Sequence, residues 1–187
     1  MDKKTLVFDL DGTLVYTDTE SYFFKSGRKK DYEFAEIPGF VRPGAKELLN
    51  ELEDDFDLAL FTAGTQDYAE SILDQTSMRK NFKIIKHRED LKREPISEDF
   101  PLKEIQKNVF KIENDPKKVL LIEDTPLFCV SRRENCLIIP DFTGHPDEVL
   151  HELKRCLKPL KNESDIREGI KKHCSKFLWR PRKSLLG

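Results

Sequence analysis

Five short apolar runs, Leu6–Phe8, Leu58–Phe61, Ile84–Ile85, Val119–Ile122 and Leu137–Ile139, recur along the chain, with helical patterns between several of them. Runs of this length read as buried strands. Leu48, Leu49 and Leu52 follow Pro43-Gly44-Ala45 at helical spacing, with Pro43 near the first turn, where its missing N–H costs little. Ala69, Ile72 and Leu73 mark a second helix. Val149, Leu150, Leu153, Cys156, Leu157 and Leu160 mark a third, starting after Pro146 and ending near Pro159. Strands alternating with helices predict the α/β class, a parallel sheet with crossovers. Ligands of such sheets bind beyond the carboxyl ends of the strands. Polar residues that follow the apolar runs are therefore the candidates for chemistry.

The first run ends in Asp9-Leu-Asp11-Gly12-Thr13. The side-chain period of a strand is two, so Asp9 and Asp11 are expected on one face unless the turn at Gly12 alters it. Acids this close repel unless a cation lies between them or one is protonated. A plain Asp-Gly turn ending a strand is the alternative reading of this motif taken alone. Two segments depart from simple alternation. Residues 16–40 carry Tyr16, Tyr22, Phe23, Phe24, Tyr32 and Phe34 around a turn-like Ser26-Gly27-Arg28-Lys29, which predicts a β-hairpin. Residues 86–103 are mostly charged and contain Pro95 and Pro101, which predicts an irregular insertion. Both are expected near the C-terminal edge of the sheet, as walls of a cleft.

A chain of 187 residues suits a single domain with a real core. Its net charge of −2 carries no global footprint for nucleic acid. Charge is uneven: residues 161–187 hold eight basic residues against three acids, so they form a basic tail after a domain at 1–160. Ile166, Ile170, Phe177, Leu178 and Trp179 give that tail an apolar side, for which packing on the domain is expected ahead of contact with a membrane surface. Cys129, Cys136, Cys156 and Cys174 are scattered and are expected as free thiols in a reducing compartment. Met1-Asp-Lys-Lys leads straight into the first run, with no signal peptide and no membrane-spanning stretch anywhere, so an intracellular protein, cytoplasmic or nuclear, is expected.

Four segments in order then narrow the reading. Asp9-Leu-Asp-Gly-Thr resembles the first motif of the haloacid dehalogenase superfamily. Leu58-Ala-Leu-Phe-Thr62-Ala63-Gly is similar to its second, a strand ending in a hydroxyl and a small residue. Lys103 stands where a lysine is expected as the third, and Val119-Leu-Leu-Ile-Glu123-Asp124-Thr-Pro resembles the fourth. Phe40-Val-Arg-Pro-Gly, Phe61-Thr-Ala-Gly with Tyr68-Ala, and Glu123-Asp-Thr-Pro look like the phosphatases that act on the carboxy-terminal domain of RNA polymerase II and their small relatives. The resemblance covers roughly residues 5–160. It departs at two places, Gly12 where those phosphatases usually have Glu and Glu123 where they usually have Asp.

The resemblance implies a Rossmann-like three-layer sandwich with a central parallel sheet, and a phosphoric monoester hydrolase. The gaps after the first and second motifs are too short for a cap domain, so the expected fold is capless, with a β-hairpin flap near the first motif. An open cleft admits a phosphorylated side chain of a protein, so a phosphoprotein phosphatase is expected. A capless phosphatase for a small-molecule or nucleic-acid-end monoester is the second reading, and an inactive phosphoprotein-docking module the third. Asp9 is expected as nucleophile, forming an aspartyl-phosphate, and Asp11 as general acid and then base. Mg²⁺ prefers oxygen ligands. Asp9, Asp124 and, by resemblance, the backbone carbonyl of Asp11 are the expected ligands, with Glu123 beside them. Thr62 and the backbone at Ala63 are expected to hold phosphate oxygens, and Lys103 to neutralise charge on the transferring group. Thr62 as a helix N-cap, Lys103 as a solvated surface residue, and Arg42 as either a loop brace or a substrate contact stand beside these readings.

Overall fold

A computed structural model describes residues 3–20, 27–95 and 103–178. Strands β1 (Lys4–Phe8), β5 (Phe56–Phe61), β6 (Ile84–Lys86), β9 (Val119–Glu123) and β10 (Cys136–Ile138) form one sheet in the order β10-β9-β1-β5-β6. Every pairing in it is parallel. The chain winds outward from β1 to one edge and then returns to β9 on the other side of β1. The order therefore reverses beside the first strand, where Asp9 emerges.

Period-two alternation sorts the core. Leu6, Phe8, Leu58, Leu60, Leu120 and Ile122 point to one face and are fully or almost fully buried. Helices α1 (Ala45–Leu52), α2 (Gln66–Gln75), α3 (Val149–Leu157) and α4 (Ile166–His173) cover that face through Leu48, Ile72, Leu153 and Ile170, among others. Each such burial contributes on the order of 1.5–3 kcal/mol. Val7, Ala59, Phe61, Val119 and Leu121 point the other way, onto Val109, Cys129 and Cys136. Short 3₁₀ turns at Val109–Lys111 and Pro126–Asn135 cover this second face. The three layers are thus helices, sheet and 3₁₀ turns, because no apolar stretch between β6 and β10 has the length and period of a helix.

Between residues 10 and 45 and between 86 and 106, the described residues form small β elements and no cap domain. β2 (Val15–Thr17), β3 (Tyr32–Phe34) and β4 (Ile37–Val41) make an antiparallel sheet with β4 in the middle. Its tight hairpin joins β3 to β4 at Ala35-Glu36, both with positive φ (48° and 65°). The expected turn around Ser26-Gly27-Arg28-Lys29 lies partly outside the described residues, and β2 and β3 do not pair with each other. Ala-Glu lacks the Asn-Gly or Asp-Gly signal that marks such a turn in sequence. The expected irregular insertion contains a two-stranded antiparallel ribbon, β7 (Lys92–Pro95) with β8 (Lys103–Gln106). Lys-Arg-Glu-Pro has no strand pattern, so only pairing reveals it.

Residues 166–178 pack on the domain. Ile166, Ile170 and Phe177 join the buried cluster that holds Leu6 and Phe8, and Leu178 bridges Leu137 of β10. Trp179 lies outside the described residues. Cys129 and Cys136 form a disulfide, with Cα atoms 6.0 Å apart, which corrects the expectation of four free thiols. The 3₁₀ segment between them doubles the chain back from the end of β9 to the start of β10, and this return brings them together. Cys156 and Cys174 are free and buried. Among the described residues no helix is long and apolar enough to cross a membrane.

Candidate active site

Asp9 leaves β1 at its carboxyl end and is 4% exposed. Its Oδ1 accepts a hydrogen bond of 2.5 Å from Lys107 Nζ, and the same ammonium donates to Glu123 Oε2 at 2.6 Å. The Lys107 side chain is wholly buried and lies 4.6 Å from the centre of the Phe128 ring. Two buried carboxylates thus share one buried ammonium. Burial pushes Asp9 up to about 6 against the opposing pull of Lys107. Burial also raises Glu123 well above the usual range, and the charge of Asp9 adds to that rise. For Lys107 burial acts downward, but Asp9 and Glu123 outweigh it and the ammonium is held more firmly than usual.

The lysine brought to Asp9 is therefore Lys107 and not Lys103. Lys103 begins β8 opposite Pro95, and its side chain lies outside the described ones. Four extended residues span about 13 Å, and the ammonium that reaches the sheet edge is that of Lys107, the residue after the strand. Val109, buried two residues further on in the second core face, anchors this segment there. A lysine two residues before a buried apolar position is the signal that spacing to Glu123 alone did not supply.

Glu123 and Asp124 come from the end of β9. Glu123 Oε1 accepts from Thr125 N at 3.1 Å, and Asp124 Oδ2 accepts from the Thr125 hydroxyl at 3.1 Å. One carboxylate oxygen from each of Asp9, Glu123 and Asp124 lies within 4.8 Å of the others. Asp11 is not in this set through its side chain. It turns toward α2, where the Tyr68 hydroxyl donates to its Oδ1. Tyr68 and Thr17 hydroxyls are 2.5 Å apart and Thr17 is 2.9 Å from the Tyr32 hydroxyl, so β2, β3 and α2 meet in one hydrogen-bonded chain. Burial raises the pKa of Asp11, and the Tyr68 hydrogen bond opposes it. The turn at Leu10–Gly12 thus gives the two acids different partners, although both line one cleft of about 320 Å³.

Thr62 and Ala63 line the same cleft across from Asp124 and Thr125. Thr62 is buried after β5, and its Oγ1 accepts from Gly64 N at 2.9 Å, which leaves its own O–H to donate. It is not a helix cap: the residue before α2 is Thr65. Gly12 has φ +76°, and a Cβ there would stand 2.6 Å from Asp141 Oδ1 and 2.8 Å from Asp124 Oδ2. Only glycine fits beside both carboxylates.

Arg42 is 1% exposed. Its Nη1 donates to the carbonyls of Gly12 and Thr13 at 3.2 and 3.3 Å, and its Nη2 to Pro140 O at 2.9 Å and Asp147 Oδ2 at 2.8 Å. It braces the loop that carries Asp11 and Gly12. Arg42→Ala is expected to cost about 3–5 kcal/mol of stability in a denaturant titration, since it removes the counter-charge of Asp147 and one donor from each of the Gly12, Thr13 and Pro140 carbonyls. Arg42→Lys is expected to recover less than half of that, because an ammonium cannot reproduce the fork.

Residues 4–167 match the family described as NIF, NLI interacting factor-like phosphatase. The chain belongs to this family. A relative of this family member is human carboxy-terminal domain RNA polymerase II polypeptide A small phosphatase 1, 26% identical over 174 residues, which are 88% of this chain and 62% of the human protein. The chain thus spans about three fifths of that relative's length. Among solved structures, that of Fcp1, an essential RNA polymerase II CTD phosphatase, is 18% identical with a TM-score of 0.55, covering 97% of this chain and 55% of Fcp1. A HAD-superfamily hydrolase from Ehrlichia chaffeensis is 17% identical with a TM-score of 0.56, covering 87% of this chain and all of that one. These two likenesses establish the Rossmann-like fold.

Proposed function

We propose that this NLI interacting factor-like phosphatase family member is a Mg²⁺-dependent phosphoprotein phosphatase that works through an aspartyl-phosphate on Asp9. The observation that carries the reading is the buried Asp9 carboxylate, held by Lys107 and facing Asp124 and Glu123 at the carboxyl edge of the sheet. An Asp9 oxygen attacks phosphorus as the ester oxygen leaves, and Asp11 gives that oxygen its proton. Asp11 then takes a proton from the water that attacks the acyl phosphate, which frees inorganic phosphate and restores Asp9. The Thr62 O–H and the neighbouring backbone N–H groups orient the phosphate oxygens, and Lys107 balances the charge that gathers on the transferring group.

Asp9, Glu123 and Asp124 fit a hard divalent cation, because they offer only oxygen donors and their negative charge exceeds that of the one ammonium between them. When bound, Mg²⁺ supplies neutralising charge for both the carboxylates and the phosphate. The absence of a cap domain among the described residues supports a phosphorylated side chain of a protein as substrate. The test is hydrolysis of an aryl phosphate, phosphopeptides and phosphosugars in parallel, with and without Mg²⁺. Turnover of the aryl phosphate and the peptides only with Mg²⁺ is expected. Turnover that ignores chelation, or confined to the sugars, sinks the reading.

Asp124→Ala is expected to shift the Mg²⁺ requirement upward by roughly tenfold or more, the loss of one carboxylate ligand. It should also abolish the rise in melting temperature that Mg²⁺ gives the wild-type protein. Calorimetric scans across a Mg²⁺ titration read both. An Asp124→Ala protein with the wild-type titration places the metal elsewhere.

A further inference from the structure

Beside the small cleft lies a larger one of about 560 Å³. The half-buried rings of Tyr16, Phe34 and Tyr68 line it, with Phe142. Phe34 and Tyr68 pack edge-on at 5.1 Å, and Tyr16 and Phe142 at 6.5 Å. Asp11, Gly12, Ala63 and Asp141 line both clefts, and of these Asp141 is the titratable one that the chemistry above does not use. It is exposed, and among the described residues its carboxylate has no hydrogen-bond or ion-pair partner. Its place is nonetheless fixed. Phe142 N donates to Gly12 O at 2.7 Å, which ties this segment to the Asp9–Thr13 loop. Across Gly12 the Asp141 carboxylate faces Asp124, yet it stands outside the three oxygens that gather within 4.8 Å. Arg88, the cation in the lining of the larger cleft, directs its Nε to the carbonyl of Ala63.

We infer that Asp141 and the aromatic wall receive a cationic side chain of the substrate, a Lys or Arg within a few residues of the phosphorylated one. The Asp141 carboxylate stands beside Asp124, and the one cation that acts on it, the buried Arg42, is committed to Asp147 and the loop carbonyls. Asp141 therefore attracts further positive charge and repels an acidic flank. The ring faces of Tyr16, Phe34 and Tyr68 add cation–π attraction to the same group. A proline or leucine flank would use the rings and leave Asp141 buried against apolar surface without a partner, which is unfavourable. The inference rests on the phosphatase reading and narrows its substrates to basic phosphopeptides.

The test is a phosphoserine peptide series in which lysine, norleucine, proline or glutamate occupies each position from three before to three after the phosphoserine. The kcat/KM of each peptide is divided by that of an aryl phosphate, which has no flank. At the best position the wild-type protein is expected to favour lysine over norleucine by about five- to tenfold and over glutamate by more. The preference is expected to shrink at high salt. Asp141→Asn is expected to remove most of it and Asp141→Lys to reverse the order of lysine and glutamate. Equal use of lysine and glutamate at every position, a preference for proline, or an unchanged preference in both variants overturns the inference. If the aryl phosphate and all peptides stay intact, the phosphatase reading falls instead. Peptide binding by fluorescence anisotropy then makes the same comparison, and equal affinities for the lysine and glutamate peptides overturn the inference by themselves.

Discussion

Lys107→Met is expected to lower turnover by at least 10²–10³-fold and to cost the metal-free protein roughly 3–5 kcal/mol. The side chain is wholly buried and is the one hydrogen-bond donor that Asp9 Oδ1 and Glu123 Oε2 share. Methionine fills a similar volume but leaves two carboxyl groups in a dry site with no counter-charge. Both acids are already raised by burial, and Lys107 is what holds them down. Its removal raises them further, so the folded variant binds more protons than the unfolded chain above the ordinary carboxylate range. Stability then rises as pH falls, because protonation of Asp9 or Glu123 relieves the repulsion. Denaturant titrations at pH 5 and pH 8 with chelator present are expected to show the loss chiefly at pH 8. Lys103→Met, at the start of β8, is expected to stay within about 0.5 kcal/mol of wild type. A fully active Lys107→Met protein, or an inactive Lys103→Met protein, would return the role to Lys103.

Asp9→Asn is expected to reduce turnover by roughly 10⁴-fold or more, the scale on which an enzyme loses rate with its nucleophile. The fold is expected to persist, because the amide is nearly isosteric and Glu123 still accepts from Lys107. Removing one of two acids that share an ammonium also removes their mutual repulsion, so metal-free stability is expected within about 1 kcal/mol of wild type. Melting curves and aryl phosphate turnover on one preparation separate the two effects. Near-wild-type turnover in a sequence-verified Asp9→Asn sample would refute the nucleophile. Asp11→Asn tests the partner role: it is expected to slow intermediate hydrolysis, and with a good leaving group a phospho-aspartate at Asp9 should be detectable by mass spectrometry after acid quench.

Together the variants separate a charge problem from a chemical one. Lys107→Met fails in stability and rate, and its stability loss responds to pH. Asp9→Asn fails in rate alone. Arg42→Ala fails chiefly in stability, because its contacts are to loop carbonyls and Asp147 rather than to the cleft acids.

The central sheet was legible in the sequence because its inner strands β1, β5 and β9 are buried almost throughout on both faces. Continuous apolar runs such as Val119–Ile122 have no other stable place in a chain of this size. The places of Asp9, Thr62 and Asp124 were legible for the same reason, since Asp9 and Thr62 directly follow such a run, Asp124 follows one after Glu123, and strand ends in a parallel sheet face one edge. α1, α2 and α3 were visible through apolar positions at helical spacing. The elements that sequence reading missed are those stabilised mainly by partners distant in the chain. Lys92–Pro95 becomes a strand only through pairing with Lys103–Gln106, and the hairpin turn at Ala35-Glu36 is imposed by β3 and β4. Choosing between Lys103 and Lys107 required knowing which end of β8 reaches the sheet edge, a matter of tertiary direction. Arg42 could not be divided between loop brace and substrate contact until the Gly12, Pro140 and Asp147 segments were brought around it. Local pattern determines which residues leave water, and so the sheet and the acids at its edge. Which charges then meet in the dry interior is decided by long-range packing, because an ammonium and a carboxylate 98 residues apart leave no periodic trace in sequence.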